Sequence, residues 1–131
     1  MDNRKYPQRW FWHTLSMPLI YSAIAPLVIF DLYLEIYHQI CFRLYKLPIV
    51  KRGQYIKIDR HKLAYLPWYE KINCVYCGYV NGLIHYASEI FARTEKFWCG
   101  IKHAKYKNFK ELSHHKDFIE YNDEVAYKKI K

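Results

Sequence analysis

The sequence predicts a mainly α fold in which an N-terminal membrane helix continues into an amphipathic helix. A short β-hairpin follows, then a small helical metal-bound unit and an extended C-terminal arm. Three observations carry this expectation. Residues 10–30, WFWHTLSMPLIYSAIAPLVIF, contain no Asp, Glu, Lys or Arg. Leu32, Ile36, Ile40 and Leu44 recur at helical spacing beyond that run. Cys74, Cys77, Cys99 and His103 form the pattern C-x2-C-x21-C-x3-H.

At 1.5 Å per residue the uncharged run makes roughly 32 Å of helix, close to the hydrocarbon thickness of a bilayer. Trp10 and Trp12 at one end, with Tyr33 and Tyr37 past the other, match interfacial aromatic anchors. A secretory signal peptide is the competing reading, because Arg4 and Lys5 precede the run and Ala23-Ile24-Ala25 imitates a cleavage site. Pro26 directly after that site argues against cleavage. Pro18 and Pro26 would be costly in a buried soluble helix and are better tolerated in membranes. Spanning and re-entrant courses both stay open.

Basic residues flank both ends of the run: Arg4, Lys5 and Arg9 before it, and Arg43, Lys46, Lys51 and Arg52 after it. The positive-inside rule then favours an inner-membrane location with the soluble part on the cytoplasmic side. The division expected is 1–47 for the membrane helix with its extension, and 48–131 for a small soluble metal-binding domain with a basic tail.

Past Pro48, the stretch PIVKRGQYIKID reads as two short strands around Arg52-Gly53. Residues 83–97 form the clearest soluble helix, with Leu83, Ile84, Ala87, Ile90, Phe91 and Thr94 on one stripe and Glu89 paired to Arg93 at i, i+4. From Gly100 onward the chain is polar and basic.

The chain has 131 residues, of which 52% are hydrophobic and 19% aromatic, with 14 tyrosines and a net charge of +9. This balance suits an anionic membrane surface or a nucleic acid. No recognition helix or RNA-binding signature accompanies the basic residues, so no nucleic-acid partner is expected. No phosphate loop, dinucleotide fingerprint or nucleophile triad is present.

Two thiolates spaced by two residues grip one ion, and a Cys/His pair completes a tetrahedron. One straight helix from Cys77 to Cys99 would hold them about 33 Å apart. A turn at Asn81-Gly82 would bring Cys99 and His103 back beside Cys74 and Cys77. The four are therefore expected as one closed zinc site, with iron or an iron-sulfur cluster as the alternative and Cys41 as a substitute ligand. A redox dithiol and structural disulfides are competing readings.

Asp31, Glu35 and His38 fall on one helix face at i, i+4 and i+7. Glu35-x-x-His38 has the spacing used in carboxylate-bridged metal bundles. The plainer reading pairs Asp31 and Glu35 with Arg43, Arg52 or Lys46. His85 and Glu89 read as solvated, as do His114, His115 and Asp117 in the polar tail.

The stretches DLYLEIYHQICFRLY, YIKIDRHKL, EKINCVYCGYVNGL, RTEKFWCGIKH and HHKDFIEYNDE together resemble a family of small bacterial membrane-associated proteins with a CxxC…CxxxH pattern. The resemblance implies a single design for these stretches. It brings no activity and no catalytic residue. The expected function is that of an accessory or assembly subunit, contacting a membrane protein complex and the lipid membrane. A membrane-boundary metalloenzyme using Asp31, Glu35 and His38, or an iron electron-transfer protein using the cysteines, is the alternative.

Overall fold

The computed structural model describes residues 9–130. Arg4 and Lys5, and the side chains of Arg9 and Trp10, on which the orientation and anchor expectations partly rest, lie outside that description. Among the described residues there are four α-helices: α1 (Arg9–Ser22), α2 (Ile24–Leu44), α3 (Trp68–Trp98) and α4 (Glu124–Ile130). Packing groups the chain into two units, Met1–Ala87 and Ser88–Lys131, and α3 contributes residues to each.

In the first unit, α1 and α2 follow each other with a single break at Ala23. Pro26 explains its place, since proline has no N–H to offer the carbonyl of Ser22. From Phe11 to Leu44 the pair is long and apolar enough to cross a membrane. Its apolar side chains face outward: Phe11, Leu15, Leu19, Ile29, Leu32, Ile36, Ile40 and Leu44 are all more than half exposed.

The buried face of α2 is a different one, formed by Leu34, His38 and Phe42 at steps of four. With Val50 and with Leu83, Tyr86 and Ala87 of α3, these residues make the core of this unit.

The segment between α2 and α3 corrects the expected hairpin. Among the described residues there is no β-strand pair; residues 48–59 instead run irregularly through a 3-10 turn at Arg52–Gln54. The physical reason is that contacts to α2 hold the segment, one of them taking a backbone donor that a ladder would use. The N–H of Val50 bonds to His38, and Arg52 is drawn onto the carboxylates of α2. A second 3-10 turn follows at Arg60–Lys62.

The expected turn at Asn81-Gly82 is also absent, since both residues lie inside α3. The Asn81 side chain donates to the Cys77 carbonyl at 2.9 Å, along the helix rather than across a turn. Gly82 serves close approach. A Cβ there would lie 2.9 Å from Ile56 Cα and 3.0 Å from the Tyr55 carbonyl oxygen.

In the second unit, α3 ends at Trp98, and Gly100 two residues on, with a φ of +58°, supplies the left-handed cap. The tail then folds back and is not an extended arm. The Ile119 N–H donates to the Gly100 carbonyl at 2.9 Å, and the Lys102 N–H donates to the Ile119 carbonyl at 2.8 Å. A 3-10 turn at Ser113–Asp117 and α4 complete the unit, and Ile90, Ala92, His115 and Phe118 are its buried residues.

Candidate functional site

The last turn of α3 carries Glu95, and the 3-10 turn at Ser113–Asp117 carries His114 and His115. The His115 N–H closes that turn onto the Leu112 carbonyl at 3.0 Å. The bridge between Ile101 and Ile119 holds the intervening strand-like segment, on which His103 sits. The three segments converge on one point. A ligand atom from each of Glu95, His103 and His115 lies within 4.8 Å of the others.

The surroundings favour an ordered site. His115 is fully buried and stacks on Phe118, with ring centroids 4.8 Å apart. Its Nε2 lies 3.1 and 3.2 Å from the two carboxylate oxygens of Glu95, and His114 Nε2 lies 2.7 Å from Oε2. The His115 Nδ1 is buried without a hydrogen-bond partner. Burial pushes the Glu95 carboxyl up, but the hydrogen bonds from His114 and His115 outweigh it and hold its pKa below the usual value. His103 packs edge-on against Phe109 and borders a cavity of about 520 Å³ that also touches Lys102, Lys105 and Tyr106.

Two imidazoles and one carboxylate are a donor set for zinc or iron(II), and three protein ligands leave a coordination position open. The sequence had placed His114 and His115 in a solvated tail. It pointed to His103, but with cysteine partners.

Those cysteines lie elsewhere. Cys74 and Cys77 are on the first-unit part of α3, and Cys99 is the exposed residue just after the helix ends. The turn at Asn81-Gly82 on which the expected four-ligand site depended is not formed, because α3 is continuous through both residues. All four cysteines, Cys41 included, are free thiols.

The acidic stripe of α2 is engaged in a polar network within the first unit. Arg52 donates to both oxygens of Asp31, at 2.5 and 2.6 Å, and to Glu35 at 3.4 Å. Tyr79 donates to Asp31 at 2.7 Å, and Tyr86 donates to Glu35 at 2.6 Å. Hydrogen bonding to Asp31 raises the Arg52 pKa above its ordinary value. Burial, then the bond to Glu35, raises that of Tyr86 well above its ordinary value. His38 is fully buried within this network. Arg52 is the pairing partner that the plainer reading of the stripe named. Exposed His85 stands against the Tyr55 ring at 4.8 Å.

At the foot of the same helix pair, Tyr76 donates to the Ile20 carbonyl at 2.6 Å and Tyr21 donates to Asn73. α3 therefore runs beside the apolar helix over several turns. Comparison with family models, with curated proteins and with solved structures finds no match for this chain.

Proposed function

We propose that this protein is a membrane-anchored accessory or assembly subunit that holds one divalent transition-metal ion through Glu95, His103 and His115. The observation that carries this reading is the convergence of those three ligand atoms within 4.8 Å of one another. The unpartnered, buried Nδ1 of His115 adds support, because an unsatisfied buried polar atom is costly and persists where it has a use.

The charge balance is favourable. One carboxylate and two neutral imidazoles leave a divalent ion with a single net positive charge, and His114 beside Glu95 orients the carboxylate from outside the ligand set. Zinc is the simplest occupant of such a donor set, and iron(II) is the redox-active one. The outward apolar face of Phe11–Leu44 supports the anchor, since lipid covers such a surface without further protein. The inner membrane, with the basic part on the cytoplasmic side, is the location that the flanking charges favour.

The test is elemental analysis of protein purified in mild detergent without chelator. About one zinc or iron per chain is expected, and it should be lost in His115→Ala and in Glu95→Gln. Metal retained in both variants, or absent from the wild type after zinc is added back, would overturn the reading. Flotation with liposomes tests the anchor separately: the chain should float, and failure to float would remove the membrane part alone.

A further inference from the structure

The first unit carries a pair of neighbouring thiols that has no part in the Glu95, His103 and His115 group. Cys74 and Cys77 stand three residues apart on α3, which places their Cβ atoms about 5–6 Å apart on one helix face. Both thiols border one cavity of about 530 Å³, with Lys57, Arg60, Asp59 and His85 among its walls. Cys77 is exposed and Cys74 half-buried, so the pair opens onto this cavity and is not sealed in the core.

The cations are held there by design of the backbone. A Cβ on Gly78 would lie 3.0 Å from the Lys57 carbonyl oxygen, and one on Gly82 would lie 2.9 Å from Ile56 Cα. Two glycines one helical turn apart therefore let residues 55–57 lie directly on α3. That close contact carries Lys57 and Arg60 to the mouth of the thiol pair.

The ligand count selects the ion. Among the described residues, Cys74 and Cys77 belong to no group of three or more ligands that one ion can span. Structural zinc and iron-sulfur centres take four protein ligands. Copper(I) is soft, prefers thiolates, and is satisfied by two of them in a linear arrangement. We propose that Cys74 and Cys77 bind one copper(I) ion between two thiolates. Binding releases two thiol protons and leaves a complex with one net negative charge, which Lys57 and Arg60 offset.

The test is a copper(I) titration of the full chain in mild detergent under reductant, in competition with a chromophoric copper(I) chelator such as bicinchoninate. The wild type should withhold one equivalent from the chelator, as should Cys41→Ser and Cys99→Ser. The double variant Cys74→Ser/Cys77→Ser should withhold none while keeping its helical circular dichroism. Full surrender of copper by the wild type, or retention by the double variant, would overturn the proposal. Lys57→Ala/Arg60→Ala leaves both thiols in place and should weaken binding by about tenfold, as loss of outer partners does at other metal sites. Unchanged affinity in that variant would overturn the role given to the cations. Zinc content at Glu95, His103 and His115 reads the other centre, so failure of either proposal is visible without the other.

Discussion

The backbone N–H of Val50 donates to Nε2 of His38 at 3.0 Å, in a fully buried setting. An amide N–H can only donate, so Nε2 must present its lone pair and the proton of the neutral imidazole resides on Nδ1. Nδ1 lies 3.0 Å from the Tyr86 hydroxyl oxygen, and that hydroxyl donates onward to Glu35. One geometric fact thus fixes the tautomer of His38 and the direction of a three-member hydrogen-bond chain.

Replacing His38 by Ala removes the acceptor of a buried amide and leaves a void beside Phe42 and Tyr86. An orphaned buried donor costs about 1–3 kcal/mol and the void adds a comparable amount. His38→Ala should therefore lower stability by about 3 kcal/mol, read as a shift in thermal or denaturant unfolding in detergent. A change under about 0.5 kcal/mol, the size of an ordinary surface substitution, would contradict the burial of this side chain.

Tyr86 gives a pH dependence with a definite sign. Burial, then its bond to Glu35, raises its pKa well above the ordinary value of 10.0. A folded pKa above the unfolded one means that the folded state binds the proton more tightly. The contribution is fully present below pH 10 and is lost as pH rises through the folded value. Tyr86→Phe should flatten the fall in stability above pH 10 relative to wild type. In an alkaline absorbance titration, the variant should lose a late-titrating phenol and none of the early ones.

The glycines of α3 separate conformational from packing roles. A Cβ at Gly82 meets backbone at 2.9 and 3.0 Å, where no flexible side chain can yield, while a Cβ at Gly53 has nothing within 4 Å. Gly82→Ala should destabilise by about 1–3 kcal/mol through forced displacement of residues 55–56. Gly53→Ala should fall within about 0.5 kcal/mol of wild type. Equal effects of the two substitutions would refute the close approach of this segment to α3.

Several of these features were legible in the sequence, and the misses share a cause. Helical spacing in α2 was visible, but Leu32, Ile36, Ile40 and Leu44 turned out to be the outward stripe. The buried one runs through His38, which hydropathy alone scores as polar. Asp31, Glu35 and His38 were read on one face, and Arg52 was among the named partners. Tyr79 and Tyr86 carry no motif of their own, although their spacing of seven matches that from Asp31 to His38 and marks the facing helix. Asn81-Gly82 looked like a turn because the dipeptide favours one in isolation. The buried stripe of Leu83, Tyr86 and Ala87 and the crowding at Gly82 keep the helix continuous. Glu95 meets His114 and His115 across 19 and 20 residues, a contact that no local pattern encodes. The adjacent pair of histidines followed by Phe118 was the one available hint.

The Arg52 pair bears on whether the acidic stripe has a structural role. Arg52 is 39% exposed and Asp31 13% exposed, so solvent screens the cation more than the acid. Removing only the cation leaves a largely buried carboxylate with Tyr79 as its remaining partner. Discounted for the exposure of Arg52, Arg52→Met should cost about 1–2 kcal/mol. Asp31→Asn should cost a similar amount, because the guanidinium then loses its one close charged partner and faces a neutral amide, with Glu35 at 3.4 Å as the remaining carboxylate. The double variant should cost less than the sum of the two singles, since neither partner is left with an unpaired charge. A structural pair gives this coupling in stability and leaves metal content unchanged in all three variants. Loss of metal from Asp31→Asn, with folding intact, would instead bring the stripe into a metal site and reverse its assignment here.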